Sequence, residues 1–372
     1  MIANSFVTNA WYVAGMAPEF ETNKLHGMVI AKKPIVIWRT DEGKVVAFDD
    51  RCVHKRMPLS CGKILANGTL ECAYHGFTYD GNGKCVAIPS QMDVPIPSRA
   101  KLKPFPVIEQ DGVVWVWPGD PDKMGKARPP RTPEFVSDEW DNYTCPPIHV
   151  PANYLLLIEN LLDITHFYPL HDGNIGDYAN SQLAIELEEG ETDGYRYVRT
   201  RRRAEAYTQP PFFIDWFHYE TVDREHTHCM VMPGLTRVEL RVAPPGELGK
   251  DKDHGYTLFH THTPVDDRNH VWRWIVCCKA DHMSKGDPTK STAKRISEMF
   301  PAVVDEDRWA LERQQHMMEF PDNGYSELFL RSDKALRRAR QILSQMQHEE
   351  TKAAATRPLT RMNAPAPQVA AE

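Results

Sequence analysis

The sequence predicts an α+β fold, with an all-β domain first and then a domain whose antiparallel sheet is flanked by helices. Three observations predict it. Residues 10–120 hold short apolar runs separated by turn residues, the pattern of successive short strands. From about residue 150, helical and strand-like segments mix. A long helical region then runs from roughly Lys294 through Met346.

In chain order, the first strands are Met28-Val29-Ile30-Ala31, Ile35-Val36-Ile37-Trp38, Val45-Val46-Ala47-Phe48 and Val113-Val114-Trp115-Val116-Trp117. Asp41-Glu42-Gly43 and Gln110-Asp111-Gly112 are the hairpin turns between such runs. Pro118-Gly119-Asp120-Pro121 closes this domain, 1–120, and Pro129, Pro130 and Pro133 mark a linker. Within 121–345, Tyr154 to His166 reads as a helix. Tyr195–Val198, Met230–Met232 and Val271–Val276 read as strands. The closing helical region breaks around Pro321-Asp322-Asn323-Gly324. Residues 346–372, rich in Ala, Pro, Thr and Gln, read as a disordered tail.

Composition narrows the function classes. The chain has 372 residues, 41% hydrophobic and 26% charged, as in a soluble globular protein with room for two domains. A net charge of −7 gives no reason to expect nucleic acid or an anionic membrane as partner. The N-terminus lacks the basic and apolar regions of a signal peptide, and no apolar run reaches the length of a membrane span. A cytoplasmic location is expected. Of the eight cysteines, Cys61, Cys85, Cys145, Cys229, Cys277 and Cys278 have no ligand spacing and read as small buried residues.

Cys52 and Cys72 are different. Cys52-Val53-His54 and Cys72-Ala73-Tyr74-His75 each offer one thiolate and one imidazole. A [2Fe–2S] centre of the Rieske type needs this inventory, two Cys on one iron and two His on the other. Tetrahedral zinc also accepts two Cys and two His, but Cys-x-His is tighter than the usual zinc spacing. Gly76 lets the backbone approach the cluster, where amide N–H groups can bond sulfur.

With the flanking Gly76-Phe77 and the turn Tyr79–Cys85, this segment resembles the Rieske domain of ring-hydroxylating and demethylating oxygenases. Respiratory Rieske subunits carry an extra Cys in each ligand loop, where this chain has Met57 and Tyr74 nearby. The resemblance implies that 1–120 is a Rieske domain and that 121–345 is a catalytic domain holding mononuclear non-haem Fe(II).

The second constellation is Glu159–His171. Asn160, Asp163 and His166 recur at every third residue, so a helix would bring them roughly to one face. Pro169 should break the helix and let His171 turn back toward His166. Two His with one carboxylate form the facial triad of non-haem Fe(II) oxygenases. The stretch matches the mononuclear-iron motif of Rieske oxygenases. By that resemblance the carboxylate is Asp307, with Asp305 and Glu312 as competitors. The core-like neighbours Trp309, Ala310 and Leu311 favour Asp307.

The resemblance further assigns Asn160 and Asp163 as catalytic residues. It implies a homotrimer in which Asp163 links His166 to His75 of a neighbouring subunit. The similarity is to the group with vanillate and dicamba O-demethylases and toluenesulfonate methyl-monooxygenase. The implied function is a terminal oxygenase that hydroxylates or demethylates an aromatic or polycyclic small molecule. Its partners are O2, the substrate and an NAD(P)H-dependent reductase, with or without a ferredoxin, since the chain has no Gly-x-Gly-x-x-Gly fingerprint. The alternative is a non-enzymatic Rieske electron-transfer protein. Arg201, Arg202 and Arg203, the aromatic cluster Phe212, Phe213, Trp216 and Phe217, and the strand-spaced His226, His228, His260 and His262 stay without assigned roles.

Overall fold

Among the described residues, 6–280 and 291–355 of a computed structural model, two regions follow one another along the chain. The first is built from β1 (Tyr12–Met16), β2 (His26–Ile30), β3 (Lys33–Arg39), β4 (Val45–Asp49), β5 (Lys63–Ile64), β6 (Leu70–Glu71), β7 (Thr78–Tyr79), β8 (Cys85–Ala87), β9 (Val107–Gln110) and β10 (Val113–Val116). They form three small sheets in the orders β1-β10-β9, β2-β3-β4 and β5-β6-β7-β8. Asp111 and Gly112 both take positive φ, as a tight β9–β10 hairpin requires.

The second region centres on β11 (Trp140–Thr144), β12 (Ile148–Val150), β13 (Glu186–Thr192), β14 (Tyr195–Thr208), β15 (Thr221–Val231), β16 (Leu235–Ala243), β17 (His254–Asp266) and β18 (Asn269–Lys279). These make one eight-stranded sheet, order β11-β18-β17-β16-β15-β14-β13, with β12 also paired to β18. Side chains alternate between its faces. Trp272, Trp274 and Val276 of β18 join the main core, whereas Ile275 and Cys277 pack with Trp11, Val13, Trp115 and Trp117. The first region therefore covers one face of the large sheet, and helices cover the other.

The helices of the described residues are α1 (Pro121–Met124), which packs on the first region's side, α2 (Tyr154–Leu162), α3 (Phe167–Leu170), α4 (Tyr178–Ser181), α5 (Pro211–Phe217), α6 (Thr292–Met299), α7 (Pro301–Met317) and α8 (Lys334–Ala355). Asn153 caps α2 by accepting the Leu155 N–H at 2.9 Å, and its own N–H reaches Gln315 of α7. Arg340 of α8 pairs with Glu159 of α2 at 2.7 Å. On α7, Val303, Val304, Asp307, Leu311 and Gln315 are buried, at the spacing of one helix face. No described helix is long and apolar enough to cross a membrane.

Element bounds and burial depart from the expectations in the following places. The first helix stops at Leu162 instead of continuing to His166. Cys61 is exposed, because it ends a short 3₁₀ turn at the surface, while the other unassigned cysteines are buried. Trp309 is 56% exposed, since it lies across α7 from the Asp307–Leu311 face. Residues 346–355, expected to begin a tail, are helical. Met346 packs on the core and Glu350 accepts from the Thr8 N–H, the Thr8 hydroxyl and the Asn9 N–H. The rest of the expected tail, 356–372, lies outside the described residues.

Candidate metal centres and active site

The Cys52 and Cys72 loops share one construction. In each, the Cys N–H bonds the carbonyl five residues on, Met57 or Phe77, and the N–H four residues on, Arg56 or Gly76, bonds the Cys carbonyl. That fourth residue has positive φ in both loops, 59° at Arg56 and 70° at Gly76. A Cβ at Gly76 would also sit 2.8 Å from the Pro89 ring, so glycine is needed there twice over. Two like loops thus present like ligands to one point. Their sulfurs are buried and their imidazoles exposed, with the His54 and His75 rings 4.5 Å apart and His54 stacked on Phe77.

The surroundings of the sulfurs suit a cluster. The Tyr79 hydroxyl lies 3.2 Å from Cys52 Sγ. Burial pushes the Cys72 thiol up, and amide N–H groups of Tyr74 and His75 pull the other way by bonding its sulfur. Donors aimed at sulfur stabilise the thiolate and tune a bound cluster.

The second centre lies where α2 ends. Asp163 is extended and caps a new 3₁₀ turn, Ile164–His166, its carboxylate taking the Thr165 N–H at 2.9 Å and the Thr165 hydroxyl at 2.8 Å. The chain therefore breaks at Asp163, not at Pro169, which sits inside α3. Asn160, Asp163 and His166 do not lie on one continuous helix face. The break nonetheless turns both imidazoles inward. One ligand atom each from His166, His171 and Asp307 lies within 4.8 Å of the others.

Tautomers decide what this centre needs. His166 Nδ1 sits 2.5 Å from the Asp163 carbonyl, which can only accept, so Nδ1 carries the proton. His171 Nδ1 likewise donates to Glu306 at 2.6 Å. Both Nε2 atoms then face Asp307 Oδ1, at 3.5 Å and 3.2 Å, so a proton or a metal cation has to sit between each ring and the carboxylate. The site asks for a positive charge at that point. Burial alone would raise the Asp307 pKa, but the two His hold it well below the usual carboxylate range. Burial alone would lower the His171 pKa, but Asp307 and Glu306 raise it. Two imidazole nitrogens and one carboxylate oxygen fit Fe(II) with positions left open.

Neighbouring groups hold the centre. Asn160 Nδ2 donates to Asp307 Oδ1 at 2.8 Å, and Asn174 Nδ2 donates to Glu306 at 3.0 Å. Asp305 is exposed, and Glu312 pairs with Arg308 at 2.7 Å, so neither competitor reaches the His pair. Glu306 is the residue that the sequence reading missed. Its one signal was adjacency to Asp307 on a helix, which does not say which way a side chain turns.

A cavity, part of it open to solvent, adjoins His166 and Asp307. Phe213, Tyr256, Trp272, Trp274 and Phe300 supply aromatic walls, and His226, His228 and His260 supply polar atoms. The Trp272 indole donates to His260 Nδ1 at 3.0 Å, which leaves the N–H of that ring on Nε2. Of the three arginines, Arg201 and Arg203 pair with Glu225 at the surface, at 3.8 Å and 2.7 Å. Arg202 is buried, which lowers its pKa to about 10 against the opposing pull of Asp163. Phe213 and Phe217 are core residues, and the side chain of Trp216 lies outside the described residues.

Comparison with known proteins adds three findings. Residues 10–106 match the Rieske [2Fe-2S] domain, and residues 150–349 match the vanillate O-demethylase oxygenase C-terminal domain. The chain is 32% identical to a vanillate O-demethylase oxygenase subunit of a Pseudomonas species over 68% of this chain and 70% of that one. It is 28% identical to a toluene-4-sulfonate monooxygenase system iron-sulfur subunit of Comamonas testosteroni, over 85% and 90%. Crystal structures of dicamba monooxygenase superpose closely. The form bound to 3,6-dichlorosalicylic acid has TM-score 0.83 at 27% identity, covering 95% of this chain and 100% of that one. The form with non-heme iron and dicamba has TM-score 0.78 at 26% identity, covering 94% and 99%.

Proposed function

The chain belongs to the Rieske oxygenases of the vanillate O-demethylase oxygenase family, and from that membership we propose that it monooxygenates a small aromatic substrate. It is the oxygenase component of a multicomponent Rieske system and takes its electrons from a separate donor. When bound, the [2Fe–2S] cluster supplies single electrons and the mononuclear iron supplies dioxygen activation. The balance is one C–H bond, O2, two electrons and two protons giving C–OH and water. Where the carbon is a methoxy carbon, the hemiacetal product separates into a phenol and formaldehyde. The electron-carrier alternative falls with the family assignment.

The observation that carries the reading is the convergence of His166, His171 and Asp307 beside an aromatic-walled cavity. Cys52, His54, Cys72 and His75 hold the cluster in this proposal, and the three convergent residues hold Fe(II). Asn160 orients Asp307. Phe213, Trp272 and Phe300 exclude water and bind a ring edge or face.

The active form proposed is a homotrimer in which Asp163 links His166, held by its main-chain carbonyl, to His75 of the neighbouring subunit, met by its carboxylate. Two exposed surfaces support it. Val53, Tyr74, Met92 and Val94 are exposed apolar residues of the cluster region. Tyr168, Tyr178 and Trp309 are exposed near the His–Asp centre, with the two tyrosine rings 5.2 Å apart. A cytoplasmic location is proposed because Cys52 and Cys72 serve as cluster ligands and form no disulfide, as expected in a reducing compartment.

The test is oxygen consumption by purified protein with NADH and a surrogate reductase, against a panel of methoxybenzoates, arylsulfonates and alkaloids. The proposal expects uptake that depends on an aromatic member, with formaldehyde released from methoxy substrates. A reducible cluster with no substrate-coupled uptake across the aromatic panel would contradict it.

A further inference from the structure

His226 and His228 stand on adjacent inward-facing positions of β15 and line the cavity. Their hydrogen bonds fix both tautomers. His228 Nδ1 lies 2.5 Å from the Leu161 carbonyl, so Nδ1 must bear the proton. The Nε2 atom of that neutral ring is then an acceptor. It faces His226 Nε2 at 3.2 Å, which must therefore be the donor. One atom is left over. His226 Nδ1 is a lone-pair acceptor, buried and without a hydrogen-bond partner, on a residue only 4% exposed.

We propose that His226 Nδ1 is a specificity-determining acceptor, held in that tautomer by His228, which selects ring substrates bearing a hydroxyl or N–H donor. The inference rests on the aromatic-substrate reading above and deepens it. An unmet buried acceptor is costly, and a ligand that brings a donor removes the cost. Neutrality of both rings supports the assignment. Burial first, then repulsion from His228, Arg224 and Arg202, pushes the His226 pKa well below its ordinary value. Burial and Arg202 likewise lower that of His228 to about 3. Arg202 stands directly across the strand pair from His226, so a second proton on that ring would meet an existing positive charge. A ligand whose polar atoms only accept finds no partner at Nδ1.

The test is calorimetric binding under anaerobic conditions to the metal-loaded protein, with two matched probe pairs. One pair is 2-methoxyphenol and 1,2-dimethoxybenzene; the other is 4-hydroxy-3-methoxybenzoate and 3,4-dimethoxybenzoate. Within each pair only the donor hydroxyl is methylated, so any requirement for an anion cancels. The hydroxyl member should bind about tenfold more tightly. That advantage should vanish in His226→Leu, and shrink in His228→Phe, where the His226 ring is free to exchange tautomers. Equal affinities within both pairs overturn the inference and leave the aromatic reading standing, as does an advantage that persists in His226→Leu. Failure of all four probes to bind overturns the inference, while the aromatic reading is overturned only by absence of uptake across the wider oxygen-consumption panel.

Discussion

Glu306 accepts the Nδ1–H of His171 at 2.6 Å, and that single bond decides what the far side of the ring presents to Asp307. Because Glu306 and Asp307 are consecutive on α7, one helix both supplies a carboxylate to the centre and orients its histidine. The other histidine is oriented from the chain itself, by the Asp163 carbonyl. The centre is thus held by α7 and by the broken end of α2.

Removing the Glu306 carboxylate should loosen the iron without touching the cluster. Partners of ligating His are worth roughly 10–100-fold in metal affinity. Glu306→Ala should therefore show Fe(II) affinity lowered by about that factor and an unchanged Rieske EPR signal. Unchanged affinity would mean that His171 needs no orienting partner.

The paired loops predict the cluster ligands. His54→Ala should lose the Rieske EPR signal, since the Cys52–Met57 loop holds no second imidazole. A full signal in the variant would remove His54 from the ligand set.

Asp163 is the proposed electron bridge. Asp163→Asn should keep both metal centres occupied and cut turnover severely, by roughly a hundredfold or more. Mixed trimers of Cys52→Ser and His166→Ala chains should recover part of the activity, because an intact cluster in one subunit can serve intact iron in the next. Demonstrably mixed trimers without recovery would confine electron flow to one chain.

Buried neutral histidines make the fold sensitive to acid. Burial lowers the His270 pKa to about 4 from 6.5, with its Nδ1–H donating to the Ala152 carbonyl at 2.6 Å. The unfolded chain then binds more protons than the folded one below pH 6.5, so stability falls as pH drops from 6.5 toward 4. At pH 5 this residue alone costs about 2 kcal/mol relative to pH 7. Urea midpoints at the two pH values should differ less in His270→Phe than in the parent chain. Parallel changes would show that His270 is protonated at the same pH in both states.

Much of the candidate site was legible in the sequence because its ligands come in local groups. Cys52-x-His54, Cys72-x-x-His75 and His166-x₄-His171 each lie within one turn or loop. Asp307 was reachable only through family resemblance, since nothing local ties it to residues so far upstream. The helix end was misplaced because Asp163 prefers to cap the next turn, and Pro169 is tolerated within the short α3. Trp309 misled because an aromatic residue suggests burial, while its rotation about α7 puts it outside. The strand alternation of His226, His228 and His260 was visible. That this face lines the cavity depends on the register of β14–β18, which no local pattern fixes.

The central claim is that His166, His171 and Asp307 hold a mononuclear iron in addition to the cluster. Iron content per chain, measured beside the Rieske EPR signal, tests it most directly. The parent chain should bind about three iron atoms. Asp307→Ala should bind about two with the Rieske signal intact and turnover abolished. Asp305→Ala and Glu312→Ala should match the parent. An Asp307→Ala chain that keeps the third iron, or a parent that binds only the cluster pair after Fe(II) loading, would contradict the account.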